Sequence, residues 1–554
     1  MVTRRQLLRM GGTAALGISG AVALAACGET QVVTKEVPVE RVVVKEVPVE
    51  KIVTQQVERV VTQEVVNVVR EEVPVEKVVE VQKVVEVPVE RVVTQQVEVE
   101  KVVEVEKVVE VQAPPTRVNA VIRFAHDHSS GLRGKQMQWA LDRFAQVRPD
   151  IAVKFEPQNH MFQDSFGIQL AGGTQAEAAL LDGGFFHQWV DKGGFIQIND
   201  MLDKHADWDP THYGMWPDQH TINFANKHPI PWNQGITGPA FGLPFQAGMN
   251  GVLYNYSLFE EAGIPQPSSG NWGILTEFHD AMRALTDPEN NQYGFRSSSA
   301  MWAYWAGWGR ALADGNQDLL YYDENATRMT IFDDGAHRAH DFVVNAIWQE
   351  GISNKLEDAK ILSGEFSDPF SAGKMGVANF GSAGNFVVRI AGRFDWGINV
   401  QPEGARGEAP IHTSQQPHLV TNAAESNGVL EQTVDMLVFF AGPEVQERAA
   451  IDRGFIPVNL NVHAGPAMQA APPQGHEHIT RILTSRDDHQ HWQSAHPSWW
   501  EWFDGWRGGA DRSFIGEASP EEGREALMAA SNNILESQHD AWVDYKEWAS
   551  TLSG

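Results

Sequence analysis

The stretch GLPFQAGMNGVLYNYSLFEEAGIPQPSSGNWGILTEF, residues 242–278, decides the fold. Residues 242–245 and 252–254 are apolar runs too short for a helix, so each predicts a β-strand. Ser257 is expected to cap a short helix, which Gly263 ends because glycine tolerates a positive φ. The last segment predicts an amphipathic helix, because apolar side chains recur there at spacings of three and four and need a sheet to cover them. These side chains are Ile274, Leu275, Phe278, Met282 and Leu285.

The segments before this stretch predict an α/β domain. Residues 121–124 are expected to form its first strand, and residues 151–155 alternate as a second strand. The helix between them is indicated by an apolar face that Pro149 ends. These elements form a βαβ unit, and a third strand is expected at residues 178–181. The apolar face consists of Met137, Ala140, Leu141, Phe144 and Val147.

The segments after it predict a second α/β lobe. Apolar positions between 342 and 347 indicate a helix, residues 376–380 indicate a strand, and residues 520–535 indicate a late helix.

The order of these segments resembles the family of extracellular solute-binding proteins that deliver sugars to ABC importers. No single piece is specific, and the resemblance rests on their succession from about Val121 to the C-terminus. Members often carry a tryptophan directly after the Gly-Ser that corresponds to Gly381-Ser382, whereas this chain has Ala383. The matched pieces are Gly242 to Pro244, Tyr254-Asn255, Leu258-Phe259, Ala262 to Ile264, Trp272, Glu277-Phe278, Leu285-Thr286, Tyr293 to Phe295, Phe370 to Met375, Phe439 to Gln446 and Gly454 to Val458.

The resemblance implies an α/β fold class: a two-lobed periplasmic-binding-protein-like fold with a hinge between the lobes. The solute-binding domain would span residues 116–554. Its first lobe would comprise about 118–244 and 400–442, and its second lobe about 245–399 and 443–554.

The first 27 residues predict the twin-arginine signal peptide of a lipoprotein. Arg4 and Arg5 precede an apolar segment without acidic residues. Leu24 to Cys27 resembles the lipobox of bacterial lipoproteins, which implies that Cys27, the one cysteine of the chain, is lipidated. Several acyl chains on one residue would anchor the protein stably to the cell membrane on its extracytoplasmic side. An ordinary signal peptide with a chance cysteine is the alternative.

Residues 28–115 predict a low-complexity, extended stalk. Between residues 31 and 112, 36 of 82 residues are valine, glycine and aromatic residues are absent, and the phrase VPVE recurs at irregular spacing. Valine and proline favour extended backbone, while Glu, Lys and Arg keep the segment in water. A spacer between membrane and domain is therefore expected. Association of its strands into a shared β-rod is the alternative.

Composition excludes some partners and chemistries. The net charge of −29 disfavours nucleic acid, because a phosphate-binding protein needs a positive face. A single cysteine excludes an internal disulfide, so the core must be held by apolar packing.

Polar side chains at predicted strand ends are the candidate ligand-binding residues. Open parallel sheets bind ligands at the carboxyl ends of their strands, and planar polar groups recognise sugar hydroxyls. Residues of these types are also common in helix caps and turns, which is the alternative for each of them. The candidates are His126, Asp127, Asp182, Gln246, Asn250, Ser382 and Asn385.

Tryptophans offer flat faces on which a sugar ring can stack. Trp302, Trp305 and Trp308 are spaced by three, which places them on adjoining positions of one helical face. A buried core stripe would show the same pattern. We take Trp302 and Trp305 as candidates for the ligand site. A second set is Trp499, Trp500 and Trp502.

Metal and enzyme motifs are absent from the sequence. The close pairs His126/His128, His476/His478 and His489/His491 have neither H-E-x-x-H spacing nor a cysteine partner, so no metal is expected. Because Walker loops, Gly-x-Ser-x-Gly elbows and twin-cysteine motifs are also missing, neither a cofactor nor an enzymatic activity is expected. Paired carboxylates of a secreted glycosidase remain an alternative, since 72 acidic residues make such pairs inevitable.

The resemblance implies an extracytoplasmic solute-binding lipoprotein that captures a carbohydrate between its lobes and delivers it to an ABC permease. Its partners would be a small sugar ligand, the permease subunits and, through the lipid anchor, the membrane. The alternatives are a secreted carbohydrate-active hydrolase, an adhesive surface protein, or a binder of a non-sugar polar metabolite such as a phosphorylated polyol.

Overall fold

A computed structural model describes much of the chain, which forms two compact units, Met1–Val111 and Gln112–Gly554. No helix among the described residues combines the length and the apolar composition needed to cross a membrane. The described residues are 50–64, 82–96, 118–159, 162–181, 183–213, 238–247, 251–297, 301–314, 322–323, 325–330, 332, 337–380, 384–409, 415–485, 496–502 and 512–552.

In the first unit, residues 50–64 and 82–96 are described, and they form an antiparallel strand pair. Strand β1 (Glu50–Glu64) pairs with β2 (Gln82–Gln96) along its whole length, with Glu50 opposite Gln96. Valine-rich sequence favours such extended backbone. Pro88 lies within β2, which a two-stranded sheet tolerates because each strand has one unpaired edge. The role of this segment as a stalk remains a proposal.

The described residues of the second unit form two main sheets and a small two-stranded one. The first sheet has six strands in the order β14-β6-β13-β5-β3-β4, and the second has four in the order β10-β7-β9-β8. The strands are β3 (Ala120–His126), β4 (Ile151–Pro157), β5 (Ala178–Leu180), β6 (Gly242–Ala247), β7 (Gly251–Asn255), β8 (Tyr293–Phe295), β9 (Met375–Phe380), β10 (Trp396–Ile398), β11 (Glu403–Gly404), β12 (Gly407–Glu408), β13 (Gln415–Val420) and β14 (Ile456–Pro457).

Helices cover both sheets. In chain order they are α1 (Gly131–Val147), α2 (Gln163–Gly172), α3 (Gly183–Trp189), α4 (Asn199–Leu202), α5 (Tyr256–Glu261), α6 (Glu277–Ala284), α7 (Met301–Leu312), α8 (His337–Trp348), α9 (Ala359–Ser363), α10 (Gly384–Ile390), α11 (Asn422–Ser426), α12 (Leu430–Ala441), α13 (Pro443–Asp452), α14 (Leu460–His463), α15 (Pro466–Gln469), α16 (His476–Ser485), α17 (Pro520–Ser537) and α18 (His539–Ala549).

The first sheet is built on the predicted βαβ unit. Strands β3 and β4 are parallel and joined by α1, which buries Met137, Ala140 and Phe144 against the sheet. The second sheet pairs β8 with β9 in parallel, and β7 runs antiparallel to β9. The two sheets are the cores of two lobes, so the two-lobed α/β fold expected from the sequence is confirmed.

The chain passes between the lobes within the stretch that decides the fold. Strand β6 belongs to the first sheet and β7, which follows after residues 248–250, belongs to the second. The chain returns to the first sheet between β12 and β13. Strand β14 also lies in the first sheet, although residues from 443 onward are expected in the second lobe; Ile456 pairs there with Ala247.

The C-terminal segment contacts both lobes. Arg524 of α17 forms an ion pair with Asp341 of α8 at 2.9 Å, which fixes the segment to the second lobe. On the other side, Tyr545 Oη lies 2.5 Å from His187 Nδ1 of α3, in the first lobe. Trp499 packs so closely on Gly184 that a Cβ at this glycine would overlap the indole.

Two local expectations are wrong. Asn255, not Ser257, caps α5, because its side-chain oxygen accepts the backbone N–H of Leu258. The next helix begins only at Glu277, so Leu275 precedes it and is 42 % exposed, while Ile274 is buried. The spacing of three and four therefore extends beyond the helix itself.

Candidate functional site between the lobes

The carboxyl ends of β3, β5 and β6 share one edge of the first sheet. Strands β3 and β5 are parallel, and β6 runs the same way because both β5 and β6 are antiparallel to β13. His126 ends β3 and Gln246 lies next to the end of β6. The predicted residue Asp182 follows β5 but lies outside the described residues.

The corresponding edge of the second sheet is also polar. Gly251, the first residue of β7, pairs with Phe380, the last residue of β9, and β8 runs parallel to β9 and ends at Phe295, opposite Val377. Arg296 follows β8 directly, and its Nη2 donates to the side chain of Asn379 near the end of β9. Sequence reasoning missed Arg296, because residues 293–295 were matched to the family but not predicted as a strand, and a position after a strand is the signal that selected Asp182.

These two edges meet at the chain crossing. Only residues 248–250 separate β6 from β7, so the Cα atoms of Ala247 and Gly251 are at most about 14 Å apart. The end of β6 in the first lobe and the start of β7 in the second therefore lie close to each other. We call the polar side chains at the strand ends of this crossing, Gln246, Arg296 and Asn379, the crossing site.

A second contact brings the lobes together nearby. Gly384 begins α10 of the second lobe, and a Cβ there would overlap the carbonyl oxygen of Arg453, which follows α13 of the first lobe. Arg453 has a left-handed backbone (φ 57°), and its guanidinium donates to carbonyls that include those of Ala450 and Ala467. The backbone that Gly384 contacts is thus held firmly in place.

Gln246 is a predicted site residue, and its side-chain oxygen is available to accept a hydrogen bond. Its Nε2 donates to Gln416 Oε1 on the neighbouring strand β13. The Gln246 residue is only 5 % exposed, and its Oε1 is buried without a hydrogen-bond partner among the described residues. A buried polar atom without a partner is costly, so a ligand hydroxyl donating here would be stabilised.

His126 lies deeper than a surface ligand residue would. Its ring is fully buried, and Nε2 lies 3.1 Å from Nε2 of His418 on β13. Its Nδ1 accepts the backbone N–H of His128 at 3.0 Å. We therefore assign the proton of His126 to Nε2, which donates to His418, and the proton of His418 to Nδ1.

Burial keeps this histidine pair neutral. It lowers the pKa of His126 well below the usual value, and His128, His418 and Arg133 lower it further. Burial likewise lowers the pKa of His418. The His418 ring stacks on Phe245 with ring centroids 3.9 Å apart, so the pair packs as part of the core. Contact between His126 and a ligand would require rearrangement of this core.

Asp127 lies beside His126 and His128. Its Oδ1 is 3.7 Å from His126 Nδ1 and 3.8 Å from His128 Nε2, and ligand atoms of the three residues lie within 4.8 Å of one another. A metal ion could fit such a set by distance alone. However, His126 Nδ1 already accepts a backbone hydrogen bond, and the guanidinium of Arg133 interacts with Asp127. His126 Nδ1 and the Asp127 carboxylate therefore each have an interaction partner within the fold.

The three tryptophans of the first aromatic set lie on one helix, and the structure shows the surroundings of Trp308. The predicted helix around residues 301–309 is present as α7. Trp308 is buried among Phe278, Phe295 and Phe342, so it is a core residue. The side chains of Trp302 and Trp305 lie outside the described part, and their contact with a ligand remains a prediction.

The other predicted residues are only partly placed. Asn385 is exposed on α10, one residue after Gly384. Asn250, Ser382 and the lipidation residue Cys27 lie outside the described residues. Of the second tryptophan set, Trp499 and Trp502 are buried in the core.

Two α/β lobes, joined by chain crossings and each carrying polar residues at strand ends, define a two-lobed binding protein of the periplasmic type. The family model described as bacterial extracellular solute-binding protein matches residues 139–473, more than half of the chain. The chain belongs to this family of extracellular solute-binding proteins.

Individual relatives agree with this assignment. A relative in Brucella abortus (strain 2308), named only as a binding protein, is 22 % identical over 352 residues, which is 61 % of this chain and 76 % of that protein. A Brucella suis relative matches with the same identity and coverage.

Solved structures share the fold. An ABC substrate-binding protein from Listeria monocytogenes, in complex with cycloalternan, aligns with a TM-score of 0.61 at 18 % identity over 76 % of this chain and 99 % of that chain. The maltose/maltodextrin-binding domain from Bdellovibrio bacteriovorus, bound to maltotriose, aligns with a TM-score of 0.56 at 16 % identity. The alignment covers 75 % of this chain and 99 % of that chain. The GacH receptor of Streptomyces glaucescens, solved with acarbose, aligns with a TM-score of 0.58 at 14 % identity. The alignment covers 76 % of this chain and 99 % of that chain.

Proposed function

We propose that this protein is the extracytoplasmic receptor of an ABC importer, which captures a carbohydrate between its two lobes and delivers it to the permease. The observation that carries the proposal is the three-residue crossing that joins β6, which carries Gln246, to β7, whose first residue pairs with the end of β9. Such an edge suits a ligand with many hydroxyl groups, because planar amide and guanidinium groups recognise them.

Fold relatives support the choice of a carbohydrate. The structures of similar fold are named as complexes with cycloalternan, maltotriose and acarbose, which are all carbohydrates. The relatives are binding proteins, so we infer that this chain also releases its ligand unchanged.

Binding to a carbohydrate panel tests the proposal. The purified full-length chain should be stabilised in thermal shift by at least one member of a panel of mono- and oligosaccharides, sugar acids and polyol phosphates, because a ligand that binds only the folded state raises its stability. Gln246→Ala should weaken that binding about 2- to 10-fold, the cost of one hydrogen bond. Gln138→Ala, on the exposed face of α1, is the matched control and should bind as the parent does.

Two outcomes would overturn this function. A panel without any binding carbohydrate would contradict the sugar assignment, and a chemically altered product in mass spectrometry would indicate a hydrolase instead.

The lipid anchor at Cys27 is part of the proposal. Its support is the lipobox-like Leu24 to Cys27 and the extended segment that follows. Membrane fractionation of Cys27→Ala checks it: the variant should be released, and a variant that stays with the membrane would contradict the anchor.

A further inference from the structure

A groove of about 630 Å³ lies beside β8 on the second lobe. Its wall contains Arg296 and Ser297 from the end of β8, Lys360 from α9, and Phe366 and Asp368 from the loop before β9. Arg296 belongs to the crossing site, so the groove begins at the edge where α/β sheets bind ligands.

The guanidinium of Arg296 is held in position but only partly neutralised. Its Nη2 donates to the carbonyl and the side chain of Asn379 at 3.2 and 2.8 Å. Its Nη1 lies 3.6 Å from Asp368 Oδ1, which is beyond hydrogen-bonding distance. Among the described residues, Nε of Arg296 has no partner.

Asp368 is engaged chiefly by other groups. Its Oδ2 accepts from Arg389 Nη1 at 3.1 Å and from the hydroxyl of Ser371 at 2.6 Å. Its Oδ1 accepts the backbone N–H of Ser371 at 2.9 Å. One carboxylate therefore serves two guanidinium groups, which leaves a positive charge in excess.

Two more cations lie at or next to the groove wall, whose lining residues Leu356, Ala359 and Gly364 are followed or preceded by Glu357, Asp358 and Glu365. Lys360 lines the groove, and the Arg393 guanidinium lies 3.5 Å over the ring of Phe366, which also lines it. Of the charged residues that line the groove, two are cations and one is an acid, in a chain whose net charge is −29. The Arg296 side chain is only 15 % exposed, and a cation so far removed from water is stabilised by a nearby anion.

We propose that this groove binds the acidic group of the ligand, so that the preferred substrate class is an acidic carbohydrate, carrying a carboxylate or a phosphate. This inference rests on the proposed function and specifies its substrate. Arginine suits the role because its planar donors match a carboxylate or phosphate in a forked arrangement.

Matched sugar pairs test the proposal by calorimetry on the full-length chain. The pairs are glucose with glucuronate, galactose with galacturonate, and glucose with glucose 6-phosphate, which separates carboxylate from phosphate. At least one acidic member should bind 10-fold or more tighter than its neutral partner. Added NaCl should reduce this preference, because salt screens charge interactions.

Variants place the preference at the groove. Arg296→Gln should remove the acid preference, a loss of about 10- to 100-fold for the acidic member, while Arg296→Lys should retain part of it. Lys360→Gln, at an exposed position, should reduce the preference by a smaller factor without risk to folding. Arg143→Gln, an exposed arginine of the first lobe paired with Glu444, is the control and should not change it.

The outcomes separate this inference from the function on which it rests. Neutral sugars that bind as tightly as their acidic partners would overturn the acidic class but leave sugar capture intact. An acid preference that survives both Arg296→Gln and Lys360→Gln would overturn the groove as its origin. If neither member of any pair nor any other carbohydrate binds, the proposed function itself fails.

Discussion

At the scale of single residues, the histidines buried in the second unit set a dependence on pH. Burial lowers the pKa of His126 and His418 well below the usual 6.5, that of His463 to about 4, and those of His476 and His496 to about 3. The unfolded chain therefore binds more protons than the folded chain below pH 6.5. Folding stability is complete above this pH and falls as the pH decreases.

The free energy of unfolding should fall between pH 6.5 and 5, by up to about 1.4 kcal/mol per pH unit for each such histidine. His418→Phe should keep an aromatic ring stacked on Phe245. It should also reduce the slope of the free energy of unfolding against pH by the amount that corresponds to about one bound proton. Denaturant unfolding at several pH values measures this slope. The matched control is His212→Phe at an exposed position. An unchanged slope in His418→Phe would contradict a neutral buried His418.

At the scale of elements, apolar periodicity predicted most strands and helices, because burial of one face leaves a local pattern. Apolar periodicity did not predict which residue caps a helix or where a helix begins, because contacts outside the repeating pattern determine both. Asn255 and Ser257 both lie near the start of α5. Asn255 is the cap, because its side-chain oxygen accepts the backbone N–H of Leu258. Leu275 fits the apolar spacing, yet it lies before the helix and is exposed. A pattern within one segment does not show where its helix starts.

The candidate site was less predictable than the fold. Strand ends could be located from the sequence, which selected Gln246. The sequence could not show that His126 faces His418, nearly 300 residues later, in the core rather than a ligand. It likewise could not show that Arg296 shares Asp368 with Arg389, since that excess of charge arises only when three separate segments meet.

Helix α7 gives the sharpest test at this scale. Trp308→Ala should lower the free energy of unfolding by about 3–5 kcal/mol, because it removes a buried indole packed against Phe278, Phe295 and Phe342. Trp305→Ala should instead weaken ligand binding, measured by calorimetry, with a smaller effect on urea unfolding. Equal losses of stability in both variants would show that the whole tryptophan stripe is core.

At the scale of the whole molecule, the proposed ligand site requires both lobes. Gln246 lies in the first sheet and Arg296 directly follows a strand of the second, so a ligand that contacts both, as we propose, would bridge the lobes. The C-terminal segment contacts both lobes, through Arg524 and Asp341 on one side and Tyr545 and His187 on the other. Relative motion of the lobes must therefore be accommodated at this segment as well as at the crossings.

Closure of the lobes on the ligand is the central claim. A ligand favours a closed state only through contacts that it makes better there, as in the hinge closure for which periplasmic binding proteins are a general example.

Small-angle scattering of residues 116–554, with and without the tightest ligand of the panel, tests closure most directly. We predict a smaller radius of gyration at saturation, and a smaller ligand-induced change in Gln246→Ala and in Arg296→Gln at equal ligand concentration. An unchanged radius of gyration in the saturated parent protein would contradict the two-lobe account.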